Sequence, residues 1–181
     1  MIKKLIFIIL GSMLALSACS NSDGKNEDTK DQKSESHMKH NDESKAPEDM
    51  TSTDQGKFKP GDKVTITAGH MPGMKDAEAT VKGAYKTYAY VVTYKPTNED
   101  KKVNNHKWVV NEEIKDAPKN GFNKGDTVKL EADHMPGMKG ATADIDDVKE
   151  TPVYMVDYKS KDNGKTVKNH KWLTENELKA R

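Results

Sequence analysis

The motif HMPGM occurs twice, at residues 70–74 and 134–138, and it places imidazole and thioether donors around a tight turn. Proline presets φ for the second residue of a β-turn, and glycine tolerates the positive φ that a type II turn needs at the third residue. We therefore expect the two methionine sulfurs of each motif to converge. The histidine joins them only if the backbone bends, because neighbouring residues of a regular strand point to opposite faces. The candidate metal ligands here are His70, Met71, Met74, His134, Met135 and Met138.

A second motif, NHKW, also occurs twice and places a histidine two residues before a tryptophan. Residues two apart share one face of a strand. His106 with Trp108, and His170 with Trp172, are therefore expected to offer an imidazole and an indole beside the methionine sulfurs. The two histidines are further candidate ligands. The indole ring would add a cation–π contact to a bound monovalent cation and shield it from water.

Thioether sulfur decides which metal these donors suit, because it is soft and uncharged and prefers Cu(I) to zinc, calcium or magnesium. A His/Met set without cysteine predicts Cu(I) as the bound ion, and Ag(I) by the same softness. The competing interpretation is that the methionines and tryptophans fill cores, which is their commonest use. Two observations favour metal binding. Pro-Gly turns normally lie at the surface, and every histidine after residue 57 belongs to one of the matched motifs.

The chain from residue 58 is a tandem repeat, in which matching segments are displaced by 64 residues. KPGDKV begins the first copy and NKGDTV the second, and the alternation of Val64, Ile66 and Ala68 with polar residues is typical of a strand. Short strands bounded by turn-forming residues predict an all-β fold. We expect a tandem duplication of one small unit, either a Src-homology-3-like β-barrel or a strongly bent sheet. We expect separate domains at residues 58–117 and 118–181, each binding its own metal ion.

The N-terminus has the features of an export and anchoring signal. Lys3 and Lys4 precede an apolar run shorter than a membrane span, and the following Leu-Ser-Ala-Cys resembles a bacterial lipobox. Residues 1–18 are therefore expected to be a lipoprotein signal peptide and Cys19 to be acylated, with an ordinary secretory signal as the alternative. Lipid on Cys19 would hold the protein in the bilayer, at the extracellular face of the cell membrane.

Residues 19–57 are expected to be a disordered polar tether that carries the lipidated cysteine. From residue 20 this segment contains no Val, Ile, Leu, Phe, Trp or Tyr, so it cannot bury enough apolar surface to offset its chain entropy. His37, Met38 and His40 within it form a candidate weak metal site. The competing explanation is an accidental pair of histidines in a polar tract.

Composition excludes two classes of function. The 181-residue chain has a formal charge of +1, and Arg181 is its only arginine. Neither a basic field nor bidentate arginine readout is available for nucleic acid. The single cysteine is assigned to the lipid, and the carboxylates look scattered rather than placed in a repeated pair. The sequence therefore predicts no nucleic-acid partner and no enzymatic activity.

The alternative function is a cell-wall or partner-binding module, with the methionines as core packing. Tandem small barrels on a tether suit adhesion, and Tyr85, Tyr88, Tyr90 and Tyr94 would supply rings for stacking on sugars. This interpretation does not account for the repeated HMPGM, which offers few hydrogen bonds to a glycan.

With both HMPGM and NHKW, the repeat resembles the YdhK family, and the whole layout is similar to CopL-like copper-resistance lipoproteins of Gram-positive bacteria. The resemblance covers about residues 57–178 and is closest at GDTVKLEADHMPGMKGA, residues 125–141. The first copy departs from the pattern with Gly69 in place of Asp and Asp76 in place of Gly, beside an intact motif. The resemblance implies extracellular Cu(I) binding that buffers or sequesters copper for copper resistance, without catalysis. It also makes a copper-exporting ATPase a candidate partner.

Overall fold

The computed structural model describes residues 45–98 and 100–181, all of which belong to one compact unit. The predicted signal peptide, Cys19 and the candidate weak site at His37, Met38 and His40 lie outside the described residues. Within the described residues, no helix has the length and apolar character needed to cross a membrane.

The fold is all-β, as the sequence predicts, and its strands form a single open sheet rather than two closed barrels. Two 3-10 helices follow strands β4 and β7, one in each copy of the repeat. The strands are β1 (Thr51–Ser52), β2 (Lys63–Ile66), β3 (Glu78–Tyr94), β4 (Val103–Val110), β5 (Thr127–Lys129), β6 (Thr142–Lys159), β7 (Thr166–Thr174) and β8 (Leu178–Ala180), and the 3-10 helices are Asn111–Glu113 and Glu175–Glu177.

Strands β3 and β6 form the centre of the sheet. They have 17 and 18 residues and pair antiparallel, from Ala79 opposite Tyr158 to Tyr94 opposite Ala143. Both contain runs of β-branched and aromatic residues, which fit a buried pleated surface. Strand β3 also pairs with β1, β2 and β4, strand β6 also pairs with β5 and β7, and β8 pairs with β2. Because β3 belongs to the first repeat and β6 to the second, the repeats are joined along the middle of the sheet.

Two hydrophobic clusters contain the bulk of the core, and they do not coincide with the predicted domains at residues 58–117 and 118–181. The first lobe combines buried side chains from residues 58–84 and 154–178. The second lobe takes its buried side chains from residues 90–145. A sixty-residue unit has a small core and is only marginally stable by itself. Here each lobe obtains its core by taking half of β3 and half of β6, so the sequence repeats and the packing units differ.

The chain has defined structure earlier than the predicted end of the tether at residue 57. Thr51 pairs with Lys86 of β3. Met50 is buried in a third hydrophobic cluster, which also contains Trp108 and Trp172. The polar composition of residues 19–57 does not predict this burial, but the flexible apolar side chain of methionine packs readily into irregular gaps. Residues 45–57 are therefore part of the folded unit.

Candidate functional site

Each HMPGM motif forms the predicted β-turn. The Met74 N–H donates to the Met71 carbonyl oxygen at 3.3 Å, and Gly73 between them has a φ of 74°. In the second copy the Met138 N–H donates to the Met135 carbonyl oxygen at 3.0 Å. The Pro-Gly pair thus produces the same turn in both lobes.

The two methionines of each motif differ in burial, although both contact the same lobe. Met74 is fully buried in the first lobe, and Met138 is fully buried in the second. Met71 and Met135 are partly buried and line a cavity. The cause is local: a further turn follows, in which the Ala77 N–H donates to the Met74 carbonyl, so the chain does not continue as a strand. Met74 and Met138 therefore pack in the core, as the competing interpretation holds, and lie outside the cavity.

One cavity of about 380 Å³ brings together the four histidines of the repeats and the first methionine of each HMPGM motif. The β2–β3 loop and the β5–β6 loop each supply a His-Met pair, while β4 and β7 each supply one histidine. Each histidine of an HMPGM motif lines the cavity beside its neighbouring methionine, because the backbone bends there. The cavity lining includes His70, Met71, His106, His134, Met135 and His170.

We group these six residues into two half-sites by the symmetry of the repeats, so that each half-site takes residues from both repeats. The rings of His106 and His134 lie 5.9 Å apart between centroids, although they belong to different repeats. The corresponding residues of the other lobe are His170 and His70. We define the first half-site as His70, Met71 and His170, and the second half-site as His134, Met135 and His106.

The two turns are each anchored on a hairpin loop of the other repeat. The Lys161 N–H donates to the Gly73 carbonyl at 2.8 Å, and the Thr97 N–H donates to the Gly137 carbonyl at 2.8 Å. A side chain at Gly73 would collide with Ser160. Glycine is therefore needed for this close approach as well as for the turn. Each half-site forms only when both repeats fold together.

The NHKW strands are irregular at their histidines. The pairing of β4 with β3 shifts register on both sides of the pair formed by Val92 and His106, and Asn105 has a φ of 52°. Asparagine tolerates this left-handed conformation better than most residues do. The Asn105 N–H is held by Thr93 Oγ1 at 3.1 Å. His106 thus lines the cavity, while Trp108 is buried in the third hydrophobic cluster.

The two tryptophans contact carboxylates and do not line the cavity. Trp108 and Trp172 are 1% and 0% exposed. The Trp108 Nε1–H donates to Glu177 Oε2 at 2.7 Å, and the Trp172 Nε1–H donates to Glu113 Oε2 at 2.9 Å. The predicted role of the indole rings, shielding of a bound cation, does not fit this position, because the rings are used in packing between the lobes.

Glu113 and Glu177 are functional candidates that the sequence analysis missed. Each is the last residue of a 3-10 helix, and they occupy matching positions of the two repeats. Glu177 Oε1 lies 2.7 Å from His70 Nε2, and Glu113 Oε1 lies 2.9 Å from His134 Nε2. The expectation of scattered carboxylates was therefore wrong for this pair. The repeat spacing of 64 residues could have identified this pair of glutamates. The match is hard to see because the surrounding sequences differ, NEEI in the first repeat and ENEL in the second.

Burial is the main influence on the ionisation of His106. It lowers the pKa of His106 to about 4, with a smaller lowering from repulsion by the His134 and His70 rings in their protonated forms and an opposing effect of Glu113. The Nε2 atom of His106 is buried and has no hydrogen-bond partner in the part of the chain that the structure describes. His106 is therefore neutral at pH 7, which is the form in which imidazole binds a metal ion.

The tyrosines considered for sugar stacking do not form an exposed row. Tyr90 and Tyr94 are 0% and 1% exposed. Tyr94 packs edge-on against His106, with ring centroids 6.0 Å apart, and Tyr85 packs edge-on against Trp172 at 5.7 Å. These rings support the walls of the site and the packing between the lobes.

The remaining feature of the cavity is its donor composition. Across residues 45–98 and 100–181, no three His, Cys, Asp or Glu side chains are grouped as a metal site by themselves. The soft donors of the cavity are the thioethers of Met71 and Met135.

Comparison with known proteins identifies relatives across both repeats. The family described as "Protein of unknown function (DUF1541)" matches residues 60–111 and 124–175. The protein YdhK of Bacillus subtilis is 51% identical over 178 residues, which cover 96% of this chain and 87% of that protein.

Solved structures agree with this relationship. A crystal structure of a DUF1541 family protein, ydhK from Bacillus subtilis, has a TM-score of 0.75 at 56% identity, covering 76% of this chain and 94% of that chain. A solution NMR structure of the ydhK C-terminal domain has a TM-score of 0.66 at 60% identity, covering 68% of this chain and 94% of that chain. The chain therefore belongs to the DUF1541 family, together with YdhK.

Proposed function

We propose that this protein is an extracellular, membrane-anchored lipoprotein that binds Cu(I) and buffers or sequesters copper for copper resistance. Copper would bind in the cavity shared by the two repeats. The observation that carries the proposal is the convergence of four histidines and two methionines on one cavity of about 380 Å³.

The donor set of each half-site suits Cu(I). Two imidazoles and one thioether provide neutral, borderline-to-soft donors, and thioethers favour Cu(I) over zinc or the oxygen-seeking cations. The proposed capacity is one ion for each half-site. Glu177 and Glu113, which lie behind His70 and His134, supply negative charge that stabilises a cation within the cavity.

Location at the cell surface rests on the N-terminal sequence. The lipobox at Cys19 places the acyl chains in the outer leaflet of the cell membrane, and the polar residues after it connect the anchor to the folded unit. The copper site would therefore meet copper outside the cell. A copper-exporting ATPase is the candidate partner that delivers or receives the ion.

Competition for Cu(I) tests the proposal. The chain from Ser20 onward, with His37→Ala and His40→Ala to remove the tether motif, is titrated under anaerobic conditions against a chromophoric Cu(I) chelator. We expect two Cu(I) ions per chain to be withdrawn from the chelator at micromolar protein concentration, and zinc to compete poorly. A chain that withdraws no copper would contradict the proposal.

A further inference from the structure

Two histidines of the cavity are each held by a carboxylate at one ring nitrogen. Glu177 Oε1 lies 2.7 Å from Nε2 of His70, and Glu113 Oε1 lies 2.9 Å from Nε2 of His134. An ionised carboxylate only accepts hydrogen bonds. The proton of each neutral imidazole must therefore be on Nε2, which leaves the lone pair on Nδ1.

The second oxygen of Glu177 accepts three hydrogen bonds, two of them from groups that can only donate. Glu177 Oε2 accepts hydrogen bonds from Trp108 Nε1–H at 2.7 Å, and from the backbone N–H and the hydroxyl of Thr174 at 2.8 and 2.9 Å. An indole N–H and a backbone N–H can only donate. These contacts hold the carboxylate ionised and set its orientation toward His70.

The other ring nitrogen of His70 makes no hydrogen bond to the described part of the protein. His70 Nδ1 is buried and has no hydrogen-bond partner within the described residues. His70 itself lines the cavity. A buried, unpaired acceptor costs free energy unless something binds it.

We propose that Glu177 and Glu113 are positioning residues that keep the proton of His70 and His134 on Nε2 and so present Nδ1 to a soft metal ion in the cavity. This inference rests on the proposed Cu(I) function. Carboxylates that accept the second N–H of a ligating histidine fix its tautomer and raise its basicity, and their loss typically lowers metal affinity about 10–100-fold.

The structure indicates a specific consequence of replacing Glu177 by glutamine. The amide oxygen must take the place of Oε2, because the indole N–H of Trp108 and the backbone N–H of Thr174 can only donate to that position. The amide NH₂ then takes the place of Oε1 and donates to Nε2 of His70. The imidazole proton moves to Nδ1, the nitrogen that faces the metal. A substitution of nearly equal size is thus expected to invert the tautomer and block the ligand.

Nitrogen-15 NMR of the histidine rings tests the tautomer without metal. Spectra of the metal-free chain from Ser20 are recorded at mildly alkaline pH. We expect the Nε2–H tautomer for His70 in the wild type and the Nδ1–H tautomer in Glu177→Gln. Cu(I) affinity, measured by chelator competition, should fall about 10–100-fold in the variant.

Glu175→Gln is the matched control, because Glu175 lies in the same 3-10 helix and accepts hydrogen bonds from Lys57 and Tyr154. It should change neither the His70 tautomer nor Cu(I) affinity. An Nδ1–H tautomer for His70 in the wild type would overturn the inference, and this spectrum decides the point even if the variant fails to fold. If Glu177→Gln lowers Cu(I) affinity but leaves the His70 tautomer unchanged, the inference is also overturned, since the role of Glu177 would then be structural. Failure of the proposed function looks different: the wild type shows the expected tautomers but withdraws no Cu(I) from the chelator.

Discussion

The indole of Trp108 and the carboxylate of Glu177 come from different repeats and are joined by a hydrogen bond of 2.7 Å. Trp172 and Glu113 form the reciprocal bond at 2.9 Å. Each carboxylate also contacts a histidine of the cavity. The copper-binding proposal and the packing of the two lobes therefore depend on the same residues.

This interleaving predicts that a single repeat does not fold. A fragment of residues 118–181 lacks part of the second lobe's core, because the cluster that contains Met138 also includes Tyr94 and Val109 of the first repeat. We expect circular dichroism and one-dimensional NMR spectra typical of an unfolded chain for this fragment, and a cooperative transition for the chain from Ser20. A fragment that unfolds cooperatively with its own dispersed spectrum would contradict the two-lobe description.

Acid should destabilise the metal-free protein partly through Glu113. Burial raises the pKa of Glu113, but the charges of His134 and Lys171 and the hydrogen bonds from His134 and Trp172 outweigh it and lower the pKa to about 2, against 4.5 for the model carboxyl. A depressed pKa contributes stability that is present above pH 4.5 and is lost as the pH falls toward 2.

Urea unfolding at pH 7, 4.5 and 2.5 measures this contribution, which should be on the order of 3 kcal/mol. Glu113→Gln is the control, since it cannot ionise. The wild type should lose more unfolding free energy than the variant between pH 4.5 and 2.5. Parallel losses in the two proteins would show that other carboxylates account for the acid sensitivity.

The second half-site carries a positive charge that should weaken its hold on a cation. Lys171 Nζ lies 3.3 Å from Glu113 Oε1, with a side chain only 12% exposed, and the residue lines the cavity. Lys171→Gln removes this charge and should raise Cu(I) affinity by about tenfold, or ~1.4 kcal/mol.

Lys107→Gln is the matched control. Lys107 occupies the same position of the first repeat and also lines the cavity, but it is exposed, so salt and water screen its charge. We expect little change in affinity for this variant. Chelator competition measures the Cu(I) affinity of both variants. Equal changes in affinity would rule out the local charge of Lys171 as the cause.

Membrane retention should depend on Cys19, which is the only thiol in the sequence. Cys19→Ala removes the acylation site, so the chain should remain uncleaved or be released into the medium. Cell fractionation with metabolic labelling by a fatty acid measures this directly. Normal processing and retention of the Cys19→Ala protein would contradict the lipoprotein assignment.

Local features of the site were predictable, whereas the partners of each residue were not. The β-turn at residues 70–74 follows from Pro72 and Gly73 alone, since both act through their own backbone angles. The burial of Met74 depends on strands of the second repeat, which the motif does not specify. A displacement of 64 residues is the same for two separate domains and for two interleaved lobes, so the repeat alone could not distinguish them.

The two glutamates of the site were not predicted for the same reason, because the sequence around them does not specify their partners. Glu113 and Glu177 match at the repeat spacing, but a glutamate in a charged chain carries little information by itself. Only the folded arrangement brings Glu177 to His70, 107 residues away in the sequence.

The most direct test of the central claim compares the methionines that line the cavity with those in the cores. Met71→Leu with Met135→Leu removes the sulfurs of the cavity, while Met74→Leu with Met138→Leu removes those buried in the lobes. Leucine keeps the volume nearly constant, so each substitution should cost less than ~1.5 kcal/mol of stability.

Cu(I) affinity of both double variants, measured by chelator competition alongside thermal unfolding, is the decisive measurement. We predict that the Met71/Met135 variant loses more than about tenfold in affinity, or ~1.4 kcal/mol, whereas the Met74/Met138 variant binds copper as the wild type does. Unchanged binding in the first variant, or loss of binding in a folded second variant, would contradict a copper site built on this cavity.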